Sequence, residues 1–254
     1  MDNRPIGVFD SGMGGISVLR ELRAHLPEEH FIYYGDNANA PYGVRTEDEI
    51  RELSWEVVRK LLAFDIKALV VGCNTATAAA VKSFRAALEM PILGIEPAIK
   101  PAALHAPGKR VLVLATAATL RLEKFQALKA IYCPDAICVP SPELVVFVER
   151  GIFSGAELDG YLENLLAPFK NVDFGAVVLG CTHFIFLRKA IGRHLPGVPM
   201  FDGNGGIANH LQHVLAERDL LCESGRKGQL ELYTSGDPAH SLPVMRQLLE
   251  LPEV

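Results

Sequence analysis

Two short apolar runs in this chain end in the same way. Residues 68–72 read Ala-Leu-Val-Val-Gly and lead into Cys73-Asn74-Thr75. Residues 176–180 read Ala-Val-Val-Leu-Gly and lead into Cys181-Thr182-His183, 108 residues further on. An unbroken apolar run closed by glycine, without polar alternation, suits a strand buried on both faces, as in a parallel sheet. Helix-forming Ala78, Ala79, Ala80 and Val81 follow the first cysteine. In open α/β sheets, ligands collect at the carboxyl ends of the strands. The chain therefore presents one strand-end cysteine twice.

The segments around these runs alternate in the same style. Residues 6–9 form an apolar strand that runs into a glycine-rich loop, Asp10-Ser11-Gly12-Met13-Gly14-Gly15. Ile16, Leu19, Leu22 and Leu26 then repeat at helical spacing. A strand at 31–34, a polar loop at 35–43, a helix at 49–64 and the first cysteine strand follow. A helix to residue 88, a break at Pro91 and a strand at 92–95 complete the first half. The second half offers strands at 111–114, 136–139, 176–180 and 198–201, and helices at 122–131, 144–149, 156–166 and 184–194. A helix at 207–218 and a strand at 230–234 end the pattern. This alternation predicts an α/β fold with helices on both faces of mostly parallel sheets.

The loop at Asp10 and the one at Thr116 are about 106 residues apart, close to the spacing of the cysteines, so the two halves read as copies of one unit. Pro97, Pro101 and Pro107-Gly108 mark the boundary. The expected arrangement is two pseudo-symmetric domains, residues 1–97 plus 207–254 and residues 98–206, with the active site in the cleft between them.

Composition narrows the function classes. The net charge of −5 and the lack of a Lys/Arg cluster exclude a nucleic-acid surface. No apolar run approaches the roughly 20 residues that span a bilayer, and the first residues lack a signal-peptide core. A soluble, cytoplasmic protein without membrane contact is expected. Five cysteines, an odd number at irregular spacing, read as free thiols rather than a disulfide framework. Cys133, Cys138 and Cys222 are read as structural.

Two thiols on opposite walls of a cleft can do specific chemistry. One, as thiolate, removes a proton from one face of a carbon; the other, as thiol, returns a proton to the opposite face, giving the mirror image. A reference pKa of about 8.5 keeps both thiol forms within reach of neutral pH. Asp10, Glu149 and His183 are the candidate partners that would fix each thiol's state. Ser11, Asn74, Thr75, Thr77, Thr116, Thr119 and Thr182 supply hydroxyls and amides, and the backbone at Gly14-Gly15 and at helix starts can hold carboxylates. A small anionic substrate is implied. Competing readings are a cysteine that is merely a small buried hydrophobe and a zinc site at Cys73, Cys181 and His183. The latter lacks paired ligand spacing. Residues 12–15 do not complete a Gly-x-Gly-x-x-Gly dinucleotide signal, because residue 17 is Ser.

Phe9-Asp10-Ser11-Gly12-Met13-Gly14-Gly15, Pro41-Tyr42-Gly43, Cys73-Asn74-Thr75-Ala76-Thr77, Val148-Glu149-Arg150-Gly151 and Gly180-Cys181-Thr182-His183-Phe184 occur in this order. With them the chain resembles the bacterial glutamate racemase family of the aspartate/glutamate racemase superfamily. The resemblance implies cofactor-independent, two-base interconversion of L- and D-glutamate that supplies D-glutamate for peptidoglycan, with aspartate as the alternative substrate. It implies acid/base roles for Cys73 and Cys181, assisted by Asp10, Glu149 and His183. Ser11, Pro41, Tyr42, Gly43, Asn74, Thr75, Thr116, Thr119 and Thr182 would hold the substrate. Cys73 would act on the D-isomer and Cys181 on the L-isomer. A homodimer without metal or cofactor is the expected assembly.

Overall fold

The computed structural model describes residues 2–251. Five strands, β1 (Ile6–Asp10), β2 (Phe31–Gly35), β3 (Ala68–Val71), β4 (Ile92–Gly94) and, from late in the chain, β9 (Leu230–Thr234), form one sheet in the order β4-β3-β1-β2-β9. Four more, β5 (Arg110–Ala115), β6 (Ile137–Pro140), β7 (Phe174–Gly180) and β8 (Met200–Phe201), form a second sheet in the order β6-β5-β7-β8. Every pairing is parallel. The central strands β1 and β3 are buried along their whole length, as expected where helices cover both faces.

Helices α1 (Ile16–His25), α2 (Glu47–Leu62), α3 (Asn74–Ala87) and α4 (Ile99–His105) follow successive strands of the first half. Helices α5 (Ala117–Arg121), α6 (Glu123–Tyr132), α7 (Pro142–Glu149), α8 (Ala156–Leu166) and α9 (Arg188–His194) belong to the second. Helices α10 (Asn204–Glu217) and α11 (Pro238–Glu250) come last. Helix α2 shows how local sequence sets an element. Thr46 and Glu49 close a reciprocal capping box, acidic Glu47, Asp48 and Glu49 occupy the first turn, and Arg59 and Lys60 lie in the last. Its apolar stripe of Ile50, Val57, Val58 and Leu61 packs on the sheet.

One apolar layer runs through both halves, from Val8 and Leu19 through Leu112 and Leu144 to Leu211 and Leu215, while separate clusters cover the outer face of each sheet. The carboxyl ends of β1, β3, β5 and β7 deliver Asp10, Cys73, Thr116 and Cys181 to the junction of the two sheets.

The structure departs from the sequence pattern in several places, among them the short helix α5, where the pattern gave no element between residues 114 and 122. The loop at 35–43 contains two 3-10 turns, Asn37–Asn39 and Tyr42–Val44, with a cis Ala40–Pro41 bond. The segment read as a proline-marked boundary carries helix α4, with Pro101 in its first turn, where a missing N–H is tolerated. Residues Thr182–Leu187 form a 3-10 helix before α9 instead of one continuous α-helix. Helix α11, with Pro243 inside it, lies where the sequence pattern gave no element. Among the described residues, no helix is long and apolar enough to cross a membrane.

At the amino ends of the strands lies a fully buried ion pair. Lys67 Nζ is 2.6 Å from Glu29 Oε2 and donates to the carbonyls of Asp2 (2.5 Å) and Leu220 (2.7 Å). Glu29 Oε1 accepts from the Cys222 amide at 2.8 Å. The pair ties the chain's start to the segment that leads into β9. Lys67→Ala strands a buried carboxylate and is expected to cost about 3–5 kcal/mol in a urea unfolding titration. Combining Lys67→Met with Glu29→Gln, which leaves no charge behind, recovers a large part of that loss. A Lys67→Ala protein as stable as wild type would refute this account of the pair.

Candidate active site

The first wall is built where β3 passes into α3. The Gly72 amide is held by the Phe9 carbonyl at 2.7 Å. This fixes Cys73 as the residue that caps α3, its sulfur accepting from the Ala76 amide at 3.4 Å. Cys73 Sγ also donates to Ser11 Oγ at 3.3 Å. Burial pushes this thiol up to about 12, with the nearby Asp10 carboxylate acting in the same direction. At neutral pH Cys73 is therefore a neutral thiol.

Beside it, three hydroxyls form a triangle. Thr75 Oγ1 lies 3.0 Å from both Thr116 Oγ1 and Thr119 Oγ1, and Thr116 Oγ1 donates to Thr119 Oγ1 at 2.9 Å. Thr116 reaches this place as the cap of α5, accepting the Thr119 amide at 3.2 Å. Hydroxyl hydrogens rotate, so the cluster can turn donors toward an anion. Asn74 Oδ1, buried at the first turn of α3, has no hydrogen-bond partner among the described residues, and Asn74 lines the same cavity. Thr77 is different: its hydroxyl donates back to the Val71 carbonyl at 3.2 Å and serves the strand-to-helix turn.

The second wall starts from Cys181 after β7. Cys181 Sγ is 3.7 Å from His183 Nδ1, and His183 Nε2 is 2.7 Å from Glu149 Oε1. Glu149, the last residue of α7, is gripped from the other half of the molecule. The Met13 amide donates to Oε1 at 2.7 Å, and Asn37 Nδ2 donates to Oε2 at 2.9 Å. Burial works against charge on both His183 and Glu149, but their mutual hydrogen bond and the thiol at Nδ1 prevail. The His183 imidazole is held well above its usual range and the Glu149 carboxyl below its own. As an imidazolium, His183 donates at one nitrogen to sulfur and at the other to the carboxylate. In this state it holds the proton that it can return to Cys181, and it can take one up again only after giving that proton away.

Asp10 lies between the walls. Its carboxylate accepts the Gly12 amide at 2.8 Å and the Thr182 hydroxyl at 3.1 Å, so its direct partner is the second wall, while Ser11 contacts Cys73. Complete burial raises the Asp10 carboxyl, and the charge of His183 partly offsets that. The glycine-rich loop passes so near this region that a Cβ on Gly14 would overlap the His183 ring and the Thr182 hydroxyl. Absence of a side chain is what lets that backbone approach.

A third element closes the space. Tyr42, buried, donates to Asp36 Oδ2 at 2.6 Å. Asp36 also accepts from Asn39 Nδ2 at 3.1 Å and from Ser235 Oγ at 2.5 Å. These bonds hold the Pro41-Tyr42-Gly43 strap down on α5, where a Cβ on Gly43 would come within 2.7 Å of Thr116 Cβ. The cavity between strap and walls encloses about 10 Å³, room for roughly one water. An amino-acid ligand fits only if the walls part.

Of the residues singled out in the sequence, Ser11, Pro41, Tyr42, Gly43, Cys73, Asn74, Thr75, Thr116, Cys181, Thr182 and His183 line this cavity. Asp10, Thr119 and Glu149 stand directly behind them through the hydrogen bonds given above. The sequence reading missed Val145, Asp36, Asn37 and the Met13 amide. Val145 had a signal, since it lies four residues before Glu149 on one face of α7. Asp36 had a weaker one, a carboxylate just past the end of β2. Among the described residues, no three His, Cys, Asp or Glu side chains converge to ligate a metal.

Residues 14–211 match the Asp/Glu/Hydantoin racemase family. The chain is 43% identical over 252 residues to the glutamate racemase of Clostridium acetobutylicum, covering 98% of each protein. Its structure is similar to that of the Thermus thermophilus glutamate racemase in complex with β-chloro-D-alanine, with 34% identity, a TM-score of 0.82 and 100% and 96% of the two chains covered. It is likewise similar to the Francisella tularensis glutamate racemase in complex with D-glutamate, with 28% identity, a TM-score of 0.85 and 99% and 95% covered. A strand-end thiol on each wall, a histidine–carboxylate pair behind one of them and likeness over the whole chain together show that this protein belongs to the Asp/Glu/hydantoin racemase family, with the glutamate racemases.

Proposed function

We propose that this protein interconverts L- and D-glutamate by a two-thiol mechanism. The observation that carries the reading is the pair of strand-end cysteines in one cavity, both buried, each with its own proton partner. In one direction Cys181, its proton passed to His183, removes the Cα proton while the Cys73 thiol delivers one to the opposite face. In the other, Cys73 must lose its proton first, and Asp10, behind Ser11, is the acceptor. Asn74 Oδ1, without a partner among the described residues, would receive the substrate ammonium. The Thr75, Thr116 and Thr119 hydroxyls, with Ser11, would receive carboxylate.

Because the free protein holds Cys73 as the acid, it is poised for the enantiomer whose Cα proton faces Cys181, assigned here as L-glutamate. Glutamate, rather than aspartate, is supported by full-length identity to glutamate racemases. The D-glutamate formed would serve peptidoglycan synthesis in the cytoplasm. Residues 1–97 with 207–254, and residues 98–206, are the two domains proposed to part for substrate exchange, within a homodimer.

Circular dichroism of L- and D-glutamate with purified protein tests the reaction. Cys73→Ala and Cys181→Ala are each expected to fall at least 10³-fold, in line with the loss of a general acid or base. Serine at either position should do little better, since a hydroxyl is a far weaker acid. An alanine variant at wild-type rate, or turnover of aspartate alone, would sink the proposal. Added pyridoxal phosphate is expected to change nothing, and stimulation by it would mean different chemistry.

The state of Cys73 can be read separately. Burial disfavours its thiolate, so the thiolate absorbance of wild type minus Cys73→Ala should show no step below about pH 10. A step near the reference value of about 8.5 would contradict the assignment of Cys73 as the resting acid.

A further inference from the structure

We propose that Asn37, with its amide oriented by Thr234, is a positioning residue that holds the Glu149 carboxylate against His183; the inference rests on the two-thiol reading above. Asn37 begins the 3-10 turn after β2, and Thr234 ends β9, next to it in the sheet. Asn37 Nδ2 donates to Glu149 Oε2 at 2.9 Å, and its Oδ1 accepts from Thr234 Oγ1 at 2.8 Å. The orientation follows from the network itself. Thr234 Oγ1 accepts the Gly236 amide at 3.0 Å, which leaves its own hydrogen to donate. The Glu149 carboxylate only accepts, so the Asn37 NH2 group faces it and the amide oxygen takes the Thr234 hydrogen.

Glu149 Oε1 is held by the Met13 amide and by His183. Among the described residues, Asn37 is the donor to Oε2. Removing it frees the carboxylate to rotate away from the imidazole and withdraws a bond to the charged form. The titratable groups that face Glu149 are His183 from the turn after β7, Asp10 from the end of β1 and the Tyr33 phenol from β2. Arg150, next in the chain, is paired with Glu157 at the surface. Of these, His183 is the one that bonds to the carboxylate, so holding Glu149 in line sets the proton state of the His183–Cys181 pair. Asp36, the preceding residue, reaches the other way, to Tyr42 and the strap. Two neighbouring side chains thus serve opposite walls, and both are propped by the Thr234-Ser235 end of β9.

The test uses Asn37→Ala, Asn37→Asp and Thr234→Val, with kcat/KM for glutamate followed against pH. An ionised Glu149 is needed, so activity falls on the acid side as the carboxyl takes its proton. Loss of the amide donor raises that carboxyl. The acid limb is expected to move up by about one pH unit in Asn37→Ala, with roughly a fivefold loss of kcat/KM at the old acid midpoint. Asn37→Asp keeps shape and the Thr234 bond but turns the donor into an acceptor, so its shift should be larger. Thr234→Val should shift the limb the same way by less.

The imidazole nitrogen-15 resonances of His183, titrated in ligand-free protein, should show their acid step moving in parallel. Unchanged acid limbs and an unchanged imidazole titration in Asn37→Asp, with a far-UV spectrum like wild type, would overturn the proposal and leave Asn37 a packing residue. A wild type that fails to racemise glutamate would sink the function instead. In that case the imidazole titration still decides the role of Asn37.

Discussion

The bond between His183 and Glu149 is where contacts from both halves of this structure converge at the site. The histidine comes from the turn after β7 and the glutamate from the end of α7, both in the second half. The glutamate's other partners, the Met13 amide and the Asn37 side chain, come from the first half. A carboxylate this buried is costly unless it is paired and hydrogen-bonded. Glu149 meets that demand only when the glycine-rich loop and the turn after β2 are docked against the second half. The same docking places the two thiols in one cavity, so proton chemistry and closure depend on one set of contacts.

The duplicated plan does not make the walls equivalent. Cys73 caps a helix and touches a serine, and burial with Asp10 nearby keeps its proton on. Cys181 has an imidazole within two residues, and the carboxylate behind that imidazole favours its charged form. One wall holds a thiol that resists ionisation; the other holds a sulfur beside an imidazolium that can carry its proton. A reaction that must work in both directions can start from such unequal resting states, because substrate binding adds charges of its own to a site with little water to screen them.

Closure over the cavity combines small residues and hydroxyls with the buried Tyr42 ring, which packs in one cluster with Phe9 and Ala118. Gly43 lies on Thr116, and Tyr42 is fixed through Asp36 to Asn39 and Ser235. These contacts close over a cavity of about 10 Å³, which an amino acid enters only when they part.

The strands, their parallel arrangement and the strand-end cysteines were legible in the sequence because they are local. A buried run of four or five apolar residues, a glycine and a capping residue each act over a few positions. The structure adds that Thr116 and Cys73, at the ends of β5 and β3, cap the helices that follow. Helix α11 was hidden by Pro238 and Pro243, and α4 by Pro101, since proline within a segment masks helical periodicity. What only the tertiary structure decided are the partnerships between distant positions: Asp10 with Thr182, Met13 and Asn37 with Glu149, Asp36 with Ser235. The sequence determined which residue types stand at the ends of the strands. Which of them share a proton was decided by how the sheets dock, because hydrogen bonds depend on ångström-scale distances that no local pattern encodes.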